Sequence, residues 1–156
     1  MLKINLICIG DIKEKYLRDA IQEYLKRISR FADLKIIEIK EHIAKSASEA
    51  DILLALKKDA EDISKHIKGY CFCLDINAKM FSSEEFAKKF EKTTLTNGEV
   101  SFIIGASNGI ADSIKSACNE KISFSPMTFP HQLMRVIFLE QLYRAFTILN
   151  HIAYHK

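Results

Sequence analysis

Five short apolar runs, separated by stretches with helical periodicity, constrain this chain more than any other feature. They are Lys3–Ile9, Leu34–Ile39, Tyr70–Leu74, Val100–Ile104 and Ile122–Ser125. All are rich in β-branched and aromatic residues, and most are apolar along nearly their whole length. A strand that is apolar on both sides needs cover on both, which a parallel sheet with helical crossovers provides. Between the runs, Leu17, Ala20, Ile21, Tyr24, Leu25 and Ile28 form one stripe at helical spacing, and Ile52, Leu56, Ala60, Ile63 and Ile67 form another. Ser46-x-x-Glu49 and Ser82-x-x-Glu85 have the form of capping boxes, the second opening a short helix to about Phe90. A weaker helix is expected over Asp112–Cys118, and Asn97-Gly98 marks a turn before the fourth strand. The expected fold class is α/β, a parallel sheet covered by helices on both faces, in one domain spanning residues 1–156.

The last helix departs from a single stripe. Between Leu133 and Ile152 its apolar residues include Leu133, Met134, Val136, Ile137, Phe138, Leu139, Leu142, Tyr143, Phe146, Ile148 and Leu149, which wrap most of its circumference. Such a helix is buried on more than one side. In a chain of 156 residues the second side is expected to meet another copy, making a homodimer, with wholly internal burial as the alternative.

Composition excludes several classes. Nearly half the residues are hydrophobic (48%) with only five Gly and two Pro, which argues against disorder and fibres. No run approaches the length of a membrane span, and the opening Lys3–Ile9 run is too short for a signal peptide. The net charge of +3 is compatible with a nucleic-acid partner without arguing for one. Cys8, Cys71, Cys73 and Cys118 lie in or beside apolar runs. Cys71 and Cys73 point to one face of a strand at a spacing that does not match a zinc site, so no metal is expected. All four read as reduced core thiols of a cytoplasmic protein.

In open parallel sheets, ligands bind beyond the carboxyl ends of the strands. Three such ends carry suggestive residues: Leu74-Asp75-Ile76-Asn77, Ile104-Gly-Ala-Ser-Asn-Gly109 and Ser123-Phe-Ser-Pro-Met-Thr128. The glycine loop is neither a phosphate-binding loop nor a dinucleotide fingerprint, so Gly105 and Gly109 read either as turn residues or as a ligand cradle. His131 and Arg135 share a helix face, which is a solvated rim or part of a site. Glu140 and Arg144, spaced i, i+4, are expected to pair. The terminal Tyr154-His155-Lys156 is either a frayed end or an RNA-binding element that combines a stacking ring, an imidazole and a cation.

Ile104-Gly-x-x-x-Gly109, Ser125-x-Met-Thr-Phe-Pro-His131, Arg135-Val136, Glu140-Gln-x-Tyr-Arg-Ala145 and the Tyr154-His-Lys end occur in one order. With them the chain resembles the ribosomal large-subunit methyltransferase H family, small members of the SPOUT class that use S-adenosylmethionine. The resemblance spans the full length. It implies a trefoil-knotted α/β fold, a homodimer, and as substrate a pseudouridine in helix 69 of bacterial 23S rRNA, methylated on N3 in the assembled 70S ribosome. Carried over by position, the cofactor pocket falls on Leu74, Gly105, Phe124, Ser125, Pro126, Met127, Thr128 and Phe129. Arg135 is assigned to stabilising substrate negative charge or phosphate. Tyr154 and His155, from the partner chain's tail, are assigned to positioning the base, with His155 as proton acceptor. One departure stands out: Ala106 occupies a place where family members often carry a second glycine. Three rivals are a SPOUT-like enzyme acting on transfer RNA, a non-catalytic ribosome-associated factor, and a flavodoxin-like nucleotide binder.

Overall fold

In the computed structural model, which describes residues 1–156, strands and helices alternate: β1 (Leu2–Ile9), α1 (Lys15–Ile28), β2 (Ala32–Ile39), α2 (Glu49–Ser64), β3 (Tyr70–Leu74), α3 (Ser83–Thr96), β4 (Glu99–Ile104), α4 (Asp112–Ala117), β5 (Glu120–Ile122) and α5 (His131–Leu149). The strands form one sheet in the order β2-β1-β4-β3-β5, and every neighbouring pair is parallel.

Successive strand residues point to opposite faces, so the apolar runs feed two cores. On one face Ile4, Leu6 and Cys8 of β1, Phe72 of β3, and Val100, Phe102 and Ile104 of β4 meet α1, α3 and α5. On the other, Ile7, Ile9, Cys71, Cys73 and Ile103 pack with Ala60 and Ile63 of α2 and Ile114 of α4. The first core is the larger and is built on phenylalanines: Phe72 stacks on Phe102 at 5.1 Å, and Phe102 meets Phe138 of α5 at 4.7 Å. Each fully buried side chain of this size contributes roughly 1.5–3 kcal/mol relative to exposure.

Several element boundaries differ from expectation. The fifth strand is Glu120–Ile122, not Ile122–Ser125, and Ser123 makes only an isolated bridge to Met80. Charged residues enter this strand because it is a sheet edge: Glu120 accepts from the Tyr70 hydroxyl (2.8 Å) and pairs with Lys89 (2.7 Å). The N-cap of α2 is Ser48 rather than Ser46. Its Oγ accepts from the Asp51 amide (3.2 Å), and both Glu49 and Asp51 then sit in the first turn, where the helix dipole favours acids. The Ser82 capping box forms as expected, but α3 runs on to Thr96. The threonines that weaken the helical signal satisfy their hydroxyls locally: Thr93 Oγ1 donates to the Lys89 carbonyl (3.0 Å) and Thr94 Oγ1 to that of Glu91 (3.0 Å).

α5 ends at Leu149, where the Asn150 side chain donates to the Phe146 carbonyl (2.8 Å). Phe138, Leu139, Leu142, Ala145 and Phe146 form its buried stripe between α1 and α3. Leu133 stays 39% exposed, and Met134, Val136 and Ile137 are only partly covered, so one chain leaves the second apolar side of α5 open.

Candidate active site

Because the strands are parallel, β3, β4 and β5 deliver their carboxyl ends to one edge of the sheet. There, segments 74–77, 104–110, 122–125 and 127–129, with Lys115 of α4 and the first turn of α5, line a cavity of about 360 Å³. That is the size range of small-molecule and cofactor sites. Its walls combine apolar residues (Leu74, Ile104, Ile110, Ile122, Phe124, Phe129) with polar groups from Asp75, Asn77, Asn108, Ser125 and Thr128.

Gly105 is required by close approach. A Cβ there would lie 2.6 Å from the Gly109 carbonyl oxygen and 2.7 Å from Ile110. Gly109 is required by conformation, with φ +79°, and its amide closes the loop on the Ala106 carbonyl at 2.9 Å. The Ala106 methyl, standing where a second glycine is common, packs against the smaller core and does not disturb this turn. The loop after β5 is pinned by Ser123, which is buried. Its amide donates to the Lys79 carbonyl (3.0 Å) and its Oγ to that of Ser125 (3.1 Å). Phe124 then turns its ring onto Phe86 (5.5 Å) and Phe138 (6.0 Å), anchoring the cavity wall in the main core.

Asp75 and Lys115 form an ion pair across the cavity rim at 3.3 Å. Burial pushes the Asp75 carboxyl upward, but the hydrogen bond from the Asn77 amide and the Lys115 charge outweigh it. The net result holds the group below the usual carboxylate range, so it is ionised at neutral pH.

The C-terminal tail forms a second cluster, on α5 and the start of α3. Glu140 accepts from the Arg144 guanidinium, from the Gln141 amide (2.8 Å) and from the Tyr154 hydroxyl (3.1 Å). Arg144 lies over the Tyr154 ring at 4.9 Å, and Tyr143 meets that ring edge-on, also at 4.9 Å. Burial and the hydrogen bond to Glu140 push the Tyr154 phenol up to about 12, so it stays protonated and donates. His155 is held on both sides, Nδ1 by Arg144 (3.0 Å) and Nε2 by Glu84 (2.5 Å).

Comparison with known proteins decides the family. The family model described as "Predicted SPOUT methyltransferase" matches residues 2–155. The ribosomal RNA large subunit methyltransferase H of Caldicellulosiruptor saccharolyticus is 48% identical over 98% of this chain and 99% of its own length. The namesakes from Clostridium novyi (45%) and Fusobacterium nucleatum (43%) each cover 99% of this chain and all of their own. This chain belongs to the methyltransferase H family of the SPOUT class. The solved SpoU methyltransferase AviRb from Streptomyces viridochromogenes superposes at a TM-score of 0.44 with 9% identity, over 97% of this chain and 61% of that one. The full-length sequence matches therefore carry the assignment.

Within this SPOUT fold, Leu74, Gly105, Phe124, Ser125, Met127, Thr128 and Phe129 all line the cavity. Pro126 does not; it is exposed at the turn where the Met127 amide donates to Ser125 Oγ (3.0 Å). Lys115 was not anticipated, because its helix is short and its partner Asp75 lies 40 positions earlier in the sequence. Arg135 sits neither on a solvated rim nor in the cavity lining. It is 2% exposed beneath the ends of β1 and β2, donating to Glu38 (2.8 Å) and to the Gly10 carbonyl (3.1 Å), and its Nε has no partner. Tyr154 and His155 rest on their own chain and do not line its cavity. One protomer thus assembles the cavity residues and the tail residues as two separate groups. No helix is long and apolar enough to cross a membrane, and no group of three or more His, Cys, Asp or Glu side chains is arranged to hold a metal ion.

Proposed function

We propose that this chain is a cytoplasmic S-adenosylmethionine-dependent methyltransferase that modifies N3 of a pseudouridine in helix 69 of 23S rRNA, within the assembled 70S ribosome, as a homodimer. The observation that carries this reading is the strand-end cavity whose floor has no room for a side chain at Gly105. Its apolar walls and backbone edges suit a nucleoside, and the ionised Asp75 with Lys115 suits polar groups at the rim. The names of relatives alike over their full length support the ribosomal RNA substrate. A trefoil knot belongs to the same reading. It is supported by the way Ser123 is held by Ile76, Lys79 and Met80 of the 76–80 loop before α5 returns across α1 and α3.

Bound in this cavity, S-adenosylmethionine supplies a methyl group already activated by its sulfonium. The protein's task is to hold the target nitrogen in line, exclude water and move one proton. Pseudouridine N3 carries an imide proton that must leave as the new bond forms. His155 takes it at Nδ1, giving up its contact with Arg144 to do so. Tyr154, held protonated on Glu140, positions the base by stacking and hydrogen bonding. Arg135, buried against Glu38 and the Gly10 carbonyl and outside the cavity lining, acts on substrate negative charge through its field rather than by contact. The tail acts on the partner's cavity, across an interface built on the uncovered side of α5. That arrangement joins the two groups of residues that a single chain keeps apart.

The test is transfer of label from S-adenosylmethionine to 70S ribosomes, free 23S rRNA and bulk transfer RNA. Label confined to 70S ribosomes and mapped to a helix 69 pseudouridine is expected. Label on transfer RNA would replace the substrate, and ribosome binding without label would remove the catalytic reading.

A further inference from the structure

Cys71 and Cys118 place their sulfurs 2.9 Å apart, on the sheet face opposite α5. Cys71 belongs to β3 and is 1% exposed; Cys118 follows the last turn of α4 and is half-buried, within reach of solvent. The backbones beneath them are fixed. The Asn119 amide donates to the Cys71 carbonyl (2.9 Å), the Cys71 amide to Asn119 Oδ1 (2.8 Å), and the Cys118 amide to the Ile114 carbonyl (3.0 Å). A third thiol, Cys73, lies two residues along the same strand face and donates to the Leu74 carbonyl (3.9 Å). The mechanism above uses none of these residues, and they are not arranged as a metal site.

We propose that Cys71 and Cys118 are a redox-active pair that closes to a disulfide when the protein meets a hydroperoxide. The accessible Cys118 is the first thiol to react. The hydrogen bond with Cys71 lowers the Cys118 pKa, whereas that bond and burial raise the Cys71 thiol. In the first step the Cys118 thiolate attacks one peroxide oxygen. An S–O bond forms, the O–O bond breaks, and hydroxide leaves to be protonated as water, giving a sulfenic acid. In the second, the Cys71 sulfur attacks the Cys118 sulfur. The S–S bond forms, the S–O bond breaks, and the departing hydroxyl takes the Cys71 proton as a second water. Two thiols are oxidised by two electrons and one hydroperoxide is reduced. A dithiol reductant reverses the change, which is how disulfides behave in reducing compartments. The bond would tie β3, which leads through Leu74 into Asp75, to the C-cap of α4, which carries Lys115, so it would join the two segments whose ion pair edges the cavity.

The experiment exposes the reduced full-length protein to hydrogen peroxide, blocks free thiols, and maps a digest made without reductant. The expected result is a fall from four alkylatable thiols to two, a peptide linking Cys71 to Cys118, and full reversal by dithiothreitol. C118S should retain all three of its thiols under the same treatment. Should C118S not fold, early trapping of the wild-type protein with dimedone is expected to label Cys118. Four surviving thiols in folded protein would overturn the proposal. So would a linkage that excludes either cysteine, or a Cys118 sulfinic acid formed without any cross-link.

Discussion

Arg144 donates a hydrogen bond to Nδ1 of His155 at 3.0 Å, and that contact sets the ring's tautomer. A guanidinium has no acceptor, so Nδ1 must present its lone pair and Nε2 must carry the proton, which it gives to Glu84 at 2.5 Å. Protonation at Nδ1 would set an N–H against the guanidinium and break the contact. The same Arg144 is fixed by Glu140, which also holds Tyr154. The tail is therefore a docked element with a defined imidazole, whose basic nitrogen is masked until Arg144 releases it.

Removing His155 tests that role directly. His155→Ala should lower kcat on 70S ribosomes by roughly 10²–10⁴-fold, the usual range for a general base, while the Kd for S-adenosylmethionine measured by calorimetry stays unchanged. Deleting Tyr154, His155 and Lys156 together should abolish transfer and likewise spare cofactor binding. Full activity in either variant would remove the tail from the chemistry.

The tail should also loosen in acid. Glu84 is held below the ordinary carboxylate range, first by its hydrogen bond with His155. A depressed folded-state pKa contributes stability above the unfolded value, and that contribution is lost as pH falls through the folded one. Susceptibility to carboxypeptidase should thus be low at neutral pH and rise as the solution is acidified below the carboxylate range. Glu84→Gln should digest at neutral pH as the wild type does in acid. A digestion rate independent of both would show that Glu84 does not hold the tail.

Gly105→Ala places a methyl carbon 2.6 Å from the Gly109 carbonyl oxygen, a contact only backbone movement can relieve. Overpacking of this kind costs about 1–3 kcal/mol. Urea unfolding should show that loss, and calorimetry should show cofactor binding weakened more than the stability change alone explains. Ala106→Gly, by contrast, should leave both nearly unaltered, because the existing methyl already packs on the smaller core.

Arg135→Met separates support from catalysis. It removes the donors to Glu38 and to the Gly10 carbonyl, but the Glu38 side chain is 46% exposed and can rehydrate, so the stability loss should be about 2 kcal/mol rather than that of a fully buried broken pair. At temperatures where the variant is folded, kcat/KM on ribosomes should still fall, with cofactor affinity unchanged. Unchanged kcat/KM would leave Arg135 as a purely structural link between α5 and the ends of β1 and β2.

Much of this molecule is readable without coordinates. The strand runs announce themselves because residues such as Ile4, Leu6, Phe72 and Phe102 sit where both sheet faces are buried, which leaves no room for polar alternation. Cys71 and Cys73 fall on one face because strand geometry has a period of two. Leu74, Gly105 and Phe124–Thr128 are identifiable as strand-end residues and Phe129 through the family resemblance, and the pairing of Glu140 with Arg144 follows from helix geometry. Less visible were the start of β5 at Glu120 and the extension of α3 to Thr96. There an edge position and backbone-directed hydroxyls absorb residues that local propensity disfavours.

What the sequence determined by itself is the alternation of elements, the parallel sheet they imply, and the loops that lie at the strand ends, because periodicity and turn chemistry act within a few residues of the chain. Only the tertiary structure decided that Lys115 meets Asp75, that Cys118 meets Cys71, that Arg135 is buried against Glu38, and that Tyr154 and His155 dock on their own α5 and α3. Each of those contacts joins residues from separate elements. Their meeting is set by the order of strands in the sheet and the packing of helices across it, and no local pattern in the chain encodes either.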